Sequence, residues 1–265
     1  MSQDGETLIP EVDRTNLMCT IKSDTLNYLL GGEVDWPTCY IHDQEIDDEG
    51  FSIAGNSNSS IKGFTILNNK LVKFLPENIV ESFPELFKYV VWNCSIKTVN
   101  GKHFKGLNKL QYLGLHNNEI ESIDGDSFKD LTKLLALNLS QNKIKMIDTK
   151  WFQSFITLRV CNYGDNQIEF LDEKVFDNLK NIEEIGLRNN KLSMVPENLF
   201  KNNLKLEKIY LDENKIQKIG STMFDHLKNL TWVDLDNNVC TNYFYGKSQF
   251  DRMKKDLSRN CTSPV

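Results

Sequence analysis

The side chains of this sequence that could carry reactive chemistry are four histidines, six cysteines and the carboxylates scattered among them. His42, His103, His116 and His226 stand apart, and none has the H-E-x-x-H spacing that turns two imidazoles toward one zinc ion. No G-x-S-x-G nucleophile turn, Walker loop or dinucleotide glycine fingerprint occurs. A thiolate–imidazolium pair could be drawn from Cys94 and His116, but the frame derived below turns Cys94 inward and His116 outward. His103 and His226 fall in segments expected to face solvent on a convex side. The cysteines lack the close clustering of a metal site. These residues predict no catalytic centre, no metal and no cofactor.

Recognition chemistry is better represented. Trp92, Tyr112 and His116 in one half, and Arg188, Tyr210, Asp212, Trp232, Asp234 and Asp236 in the other, are aromatic and charged groups. Exposed aromatic residues and Arg are enriched at interface hot spots, and a group of carboxylates selects a basic partner surface. Three aspartates alone offer too few oxygens for a calcium site. Arg188, Asp212 and Asp236 are spaced by 24 residues, as are Tyr210 and Asp234. Residues so spaced share a surface only if the chain coils with that period.

It does. The frame L-x-x-L-x-L-x-x-N-x-I recurs eight times, with its Asn position at 69, 94, 118, 142, 166, 190, 214 and 238. The intervals are 25 once and 24 thereafter. The two central apolar positions, such as Leu113 and Leu115 or Leu137 and Leu139, alternate with polar ones, the pattern of a strand with one buried face. An apolar residue follows two after the Asn position (Leu71, Ile96, Ile120) and another five after it (Phe74, Val99, Ile123). Ten after it comes a Phe in six units: Phe104, Phe128, Phe152, Phe176, Phe200 and Phe224. One unit cannot bury its own apolar face, whereas stacked units form a continuous core. The Asn amide is expected to turn inward and satisfy backbone groups of adjacent coils. The expected fold is α/β: a leucine-rich-repeat solenoid, a right-handed curved coil with a concave parallel sheet of about eight repeat strands. At about 4.8 Å per strand the sheet would run roughly 35 Å.

The 24-residue frame with its Phe resembles the extracellular leucine-rich-repeat family, which includes Toll-type receptor ectodomains, Slit-type ligands and secreted insect immune proteins. The phrases Phe74-Leu75-Pro76-Glu77-Asn78-Ile79 and Trp92-Asn93-Cys94-Ser95-Ile96-Lys97, with the short Cys240 to Cys261 cap, are most similar to the secreted insect members. The resemblance covers residues 61 to 261, and 17 to 60 by position. It implies roles in innate immunity or cell adhesion.

A solenoid needs polar covers at both ends. The chain divides into a flexible tail (1–16), an N-terminal cap (17–60), eight repeats (61–238) and a C-terminal cap (239–265). Cys19 and Cys39 precede the repeats, and Cys240 and Cys261 bracket the C-terminal cap, so disulfides 19–39 and 240–261 are expected, each worth about 3 kcal/mol in the chain-entropy model. Cys94 and Cys161 lie three repeats apart and are expected as buried thiols. Phe250, Met253 and Leu257 at helical spacing predict an amphipathic helix over the last repeat. Five N-x-S/T triplets, at Asn58, Asn93, Asn138, Asn229 and Asn260, are potential glycosylation sites. Asn138 falls between Leu137 and Leu139, on the outward face.

A formal charge of −6 and the lack of a basic stripe argue against nucleic-acid binding. No apolar run approaches the roughly 20 residues of a membrane span. The polar start Met1 to Glu6 has no signal-peptide core, which alone would give a cytosolic protein; the cap cysteines and sequons outweigh it. The leading expectation is a secreted or cell-surface, non-catalytic module binding a protein on its concave face. The rivals are a structural or matrix protein that self-associates, as a homodimer for instance, and a cytosolic scaffold.

Overall fold

Alternating apolar residues put one short strand at the same point of every coil. The computed structural model describes residues 20–25, 35–41, 46 and 58–261. Its strands are β1 Thr20–Thr25, β2 Asp35–Ile41, β3 Gly63–Leu67, β4 Lys88–Trp92, β5 Thr98–Val99, β6 Tyr112–Gly114 and β7 Ser122–Ile123, followed by β8 Ala136–Asn138, β9 Val160–Asn162, β10 Glu184–Gly186, β11 Lys208–Tyr210, β12 Trp232–Asp234 and β13 Phe244–Gly246. Helix is sparse: α1 is Ile79–Ser82 and α2 is Phe250–Asn260. The eight repeat strands β3, β4, β6 and β8 to β12 pair parallel, each in register with the next. The sheet is longer than the repeat frame alone requires. β2 joins it parallel to β3, β1 closes one edge antiparallel to β2, and β13 closes the other antiparallel to β12.

Burial follows the alternation. Phe64, Tyr89, Leu113, Leu137, Cys161, Ile185, Ile209 and Val233 form one buried row, and Ile66, Val91, Leu115, Leu139, Tyr163, Leu187, Leu211 and Leu235 a second. Behind them the recurrent phenylalanines stack; Phe176 and Phe200 lie parallel within 4° at 6.2 Å. Burying each such ring contributes about 1.5–3 kcal/mol, and only the neighbouring coil can do it.

The frame's Asn carries the turn out of each strand. The Asn166 amide donates to the carbonyls of Leu139, Tyr163 and Gly164, and its Oδ1 accepts from the Ile144 N–H at 3.0 Å. Asn118, Asn142, Asn190, Asn214 and Asn238 repeat the pattern. The residue before each position in the row (Asn68, Asn93, Asn117, Gln141, Asp165, Asn189, Glu213, Asn237) has φ between +48° and +56°. That left-handed geometry lets the chain leave the strand sharply.

Two sequence expectations are corrected here. In the 25-residue first unit Leu71 is exposed and Phe74 only partly buried, while Val72 and Leu75 fill the inward positions. The extra residue lies between Asn69 and Val72, so every later apolar position of that unit moves on by one. The same shift explains why a cysteine suffices at 94. In other units the equivalent N–H, such as that of Ile96, needs the next Asn side chain as acceptor, whereas the Val72 N–H bonds the Asn69 carbonyl at 3.1 Å. His103, expected in solvent, is 3% exposed; its Nδ1 accepts from the Asn100 N–H, and burial lowers its pKa to about 4. His226 is exposed.

Cys240 and Cys261 are bonded, and α2 lays Met253 and Leu257 into the core beneath them. Cys39 is disulfide-bonded, and Cys19, its expected partner, lies outside the described residues, as does His42. Cys94 and Cys161 are buried free thiols whose pKa values burial pushes up.

Candidate functional site

The residues between the two buried rows point to the concave side, and strand register sets their neighbours. Thr65, Val90, Gly114, Asn138, Asn162, Gly186, Tyr210 and Asp234 are each paired with the next across the sheet. Two groups of larger side chains rise from this face, one toward each end.

At the N-terminal end Trp92 stacks on His116, ring centroids 5.7 Å apart and planes within 25°. Tyr112 lies over Gly114, where an added Cβ would meet its Cε1 at 3.0 Å, so the glycine makes room for the ring. The Tyr112 phenol bonds the Asn138 side chain, and its pKa is raised by burial. All three predicted residues here are half-buried; the His116 Nδ1 has no hydrogen-bond partner, and desolvation lowers the imidazole pKa.

The C-terminal group encloses a groove of about 400 Å³. Its lining includes Asn162, Gly164, Asp165, Glu184, Gly186, Arg188, Tyr210, Asp212 and Asp234. Gly164 and Gly186 lower its floor, and the Asn162 carboxamide lies across them, accepting from the Gly164 N–H at 2.9 Å. Arg188 pairs through Nε with Asp212 Oδ2 at 3.1 Å and through its Nη2 with Glu213. Lys208 pairs with Glu184 at 3.5 Å on the adjacent strand. Asp212 is only 7% exposed, and its Oδ1 has no hydrogen-bond partner. Burial first, then the charge of Asp234, push its carboxyl up to about 6 against the pull of Arg188. Asp234 accepts the Asp236 N–H on Oδ1 at 3.1 Å.

Of the nine predicted contact residues, Arg188, Tyr210, Asp212 and Asp234 share this groove, and Trp92, Tyr112 and His116 share the other cluster. Trp232 instead stacks on Phe244 of β13 at 5.0 Å, covering the end of the sheet. Asp236 bonds the Asn237 amide outside the groove lining. Sequence reasoning did not single out Asn162, Asp165, Glu184 and the two glycines as site residues. Asn162 and Gly186 belong to the row between the two buried ones, Gly164 and Glu184 lie two residues from it on the same face, and a run of small residues beside large ones is the signal for a depression. Among the described residues no three His, Cys, Asp or Glu side chains gather closely enough to hold a metal ion. No helix among them is long and apolar enough to cross a membrane.

The family profile described as leucine rich repeat matches residues 84–144, 136–192 and 180–239, together more than half of the chain. This chain belongs to the leucine-rich-repeat family. Comparison with curated protein sequences returned no match. Among solved structures, this leucine-rich-repeat chain is similar to the protein in the TLR13–ssRNA13 complex, with TM-score 0.63 and 24% identity over 68% of this chain. It is also similar to a chain of the Toll–Spatzle complex, described as a molecular hub in Drosophila development and innate immunity, with TM-score 0.58 and 21% identity over 68% of this chain. The glycosylated form of that complex gives the same values. The match spans 26–27% of those chains, about a quarter of their length.

Proposed function

We propose that this protein is a non-catalytic recognition module that binds a protein ligand on its concave face, in innate immunity or cell adhesion. The observation that carries the reading is the groove on β9 to β12, where Asp212 is buried with one oxygen unpartnered beside Asp234 and Tyr210. Arg188 pairs with the other oxygen only, and a buried acceptor left without a hydrogen bond costs about 1–3 kcal/mol. A ligand that supplies donors recovers that cost. The aromatic cluster of Trp92, Tyr112 and His116 gives the same ligand an apolar second anchor.

A nucleic-acid ligand, like that of the TLR13 complex, would bring phosphates against Asp212, Asp234 and Asp236, so a protein with a basic patch fits better. The resemblance of the 74–79 and 92–97 phrases to secreted insect members supports a secreted protein. An extracellular location accords with the Cys240–Cys261 bond, a linkage favoured in oxidising compartments. The division into tail 1–16, caps 17–60 and 239–265 and repeats 61–238 is part of this proposal. So is glycosylation, for which Asn229 and Asn260 are the exposed sequons. Asn93 is tied to Asn68 and Asn117 in a row of amides, and Asn138 is bonded to Ser140.

The test is a pull-down from extracellular fluid with the wild-type chain and a Tyr210→Ala/Asp234→Ala variant. A ligand captured by the wild type and lost by the variant, at nearly unchanged Tm, supports the reading. Equal capture moves the site off this groove, and capture of the chain's own copies alone supports self-association instead.

A further inference from the structure

The groove is more specific than a generally acidic surface. We propose that Asp212 and Asp234, with the Tyr210 ring beside them, seat one cationic side chain of the ligand, a lysine ammonium or an arginine guanidinium. This rests on the concave-face reading above and sharpens it.

Asp212 lines the groove, is 7% exposed and has an Oδ1 that no protein group reaches with a hydrogen bond. Arg188, the one cation among the lining residues, approaches only Oδ2 and is shared with Glu213 outside the lining. Asp234 sits one strand on, in register with Tyr210, and its Oδ1 is the oxygen held by the Asp236 N–H. Two neighbouring carboxylates, Asp234 on β12 and Asp212 just past the end of β11, thus have acceptor capacity left over, the complement of a donor fork. The Tyr210 ring adds a π face that attracts a cation. Gly186, in register with Tyr210 on the other side, adds no side chain of its own there, and the Asn162 carboxamide lies over it as a further polar wall of the groove. A divalent ion is a poor alternative, because calcium takes about 6–8 oxygens and the described residues assemble no such set. An anion would meet like charge.

The experiment uses the whole chain, ¹⁵N-labelled and titrated at neutral pH with Nα-acetyl-arginine methylamide and Nα-acetyl-lysine methylamide. The neutral isostere Nα-acetyl-citrulline methylamide is the control. Saturable amide shifts at Gly164, Gly186 and Asp212 with a cationic probe, and not with citrulline, are expected. Asp234→Asn should weaken that binding by about tenfold or more, roughly the worth of one charged pair. Asp212→Asn should do the same; Asp234, half-buried, is the variant that keeps the test open if the former folds poorly. Absence of saturation with either cation, equal binding of citrulline, or shifts unaffected by both substitutions would overturn the proposal. Should the probes fail while the Tyr210→Ala/Asp234→Ala variant still loses its protein ligand, concave recognition stands and only the cation seat falls. Should the probes bind while capture is unchanged, the seat stands and the protein ligand is bound elsewhere than in this groove.

Discussion

Asp212 couples recognition to stability through its protonation. Its carboxyl titrates near 6 in the folded chain, raised by burial and by Asp234, and an unfolded aspartate titrates near 3.8. Between those values the folded chain holds a proton that the unfolded chain has released. The stability tied to this group is therefore present below about pH 4, falls as pH rises through the window, and stays low above 6. Asn cannot ionise, so Asp212→Asn should raise stability at pH 7.5 by about 1–2 kcal/mol, after allowing for the lost attraction to Arg188, which keeps Glu213. The gain should vanish near pH 4. Thermal melts of both proteins across that range check it; a variant less stable at every pH would mean that the Arg188 pair outweighs the burial cost. The type and outward position of Asp212 were legible in the sequence, because a two-residue period assigns faces. Its burial was not. Depth on a concave face depends on the height of side chains 24 residues away on either side, here Arg188 and Asp236, and on the bareness of Gly186.

Among the turns, the Asn row is an element in its own right, and its members are not equivalent. Replacing Asn166 by Ala strips the Ile144 N–H of its acceptor and the carbonyls of Leu139, Tyr163 and Gly164 of a shared donor, all of them buried. A loss of about 3 kcal/mol is expected in denaturant melts. Cys94→Ala, at the corresponding point of an earlier coil, should cost no more than about 1 kcal/mol, the value of one small buried group. The Val72 N–H there already bonds the Asn69 carbonyl, and Lys70 Nζ donates to the Cys94 carbonyl at 2.9 Å. Equal costs at the two positions would refute the idea that the inserted residue relieves the first coil. The row itself was readable from spacing alone. Two of its features were not. The left-handed residue before each member is marked only by a preference for Asn, Asp, Gln and Glu, too weak a signal in a chain rich in them. The insertion in the first unit shows in the sequence as a 25-residue interval, but its location is fixed only by which of Leu71 and Val72 the coil can bury.

At the scale of the whole molecule each coil contacts only its neighbours, so stability is close to a sum of local terms and damage should stay local. The ends are where this matters, and where sequence was least informative: residues 17–60 carry no repeat, and nothing in their spacing announces that β1 and β2 extend the sheet. The C-terminal cap was better marked by Met253, Leu257 and its two cysteines, and it closes over the last coil with the Cys261 carbonyl accepting the Ile219 N–H at 3.2 Å. Trp232 on Phe244 seals the adjoining strand. Opening the Cys240–Cys261 bond by a double Ala substitution should cost about 3 kcal/mol, the loop-closure entropy of some twenty residues. Hydrogen exchange should then rise most in α2 and β13, less in β12 and β11, and hardly at all in β6. Since the cation seat spans β11 and β12, probe affinity should weaken while the Trp92–His116 stack is untouched. Uniform acceleration from β3 to β13 would mean instead that the solenoid opens as a single unit, in which case a cap substitution could not separate the two ends of the recognition face.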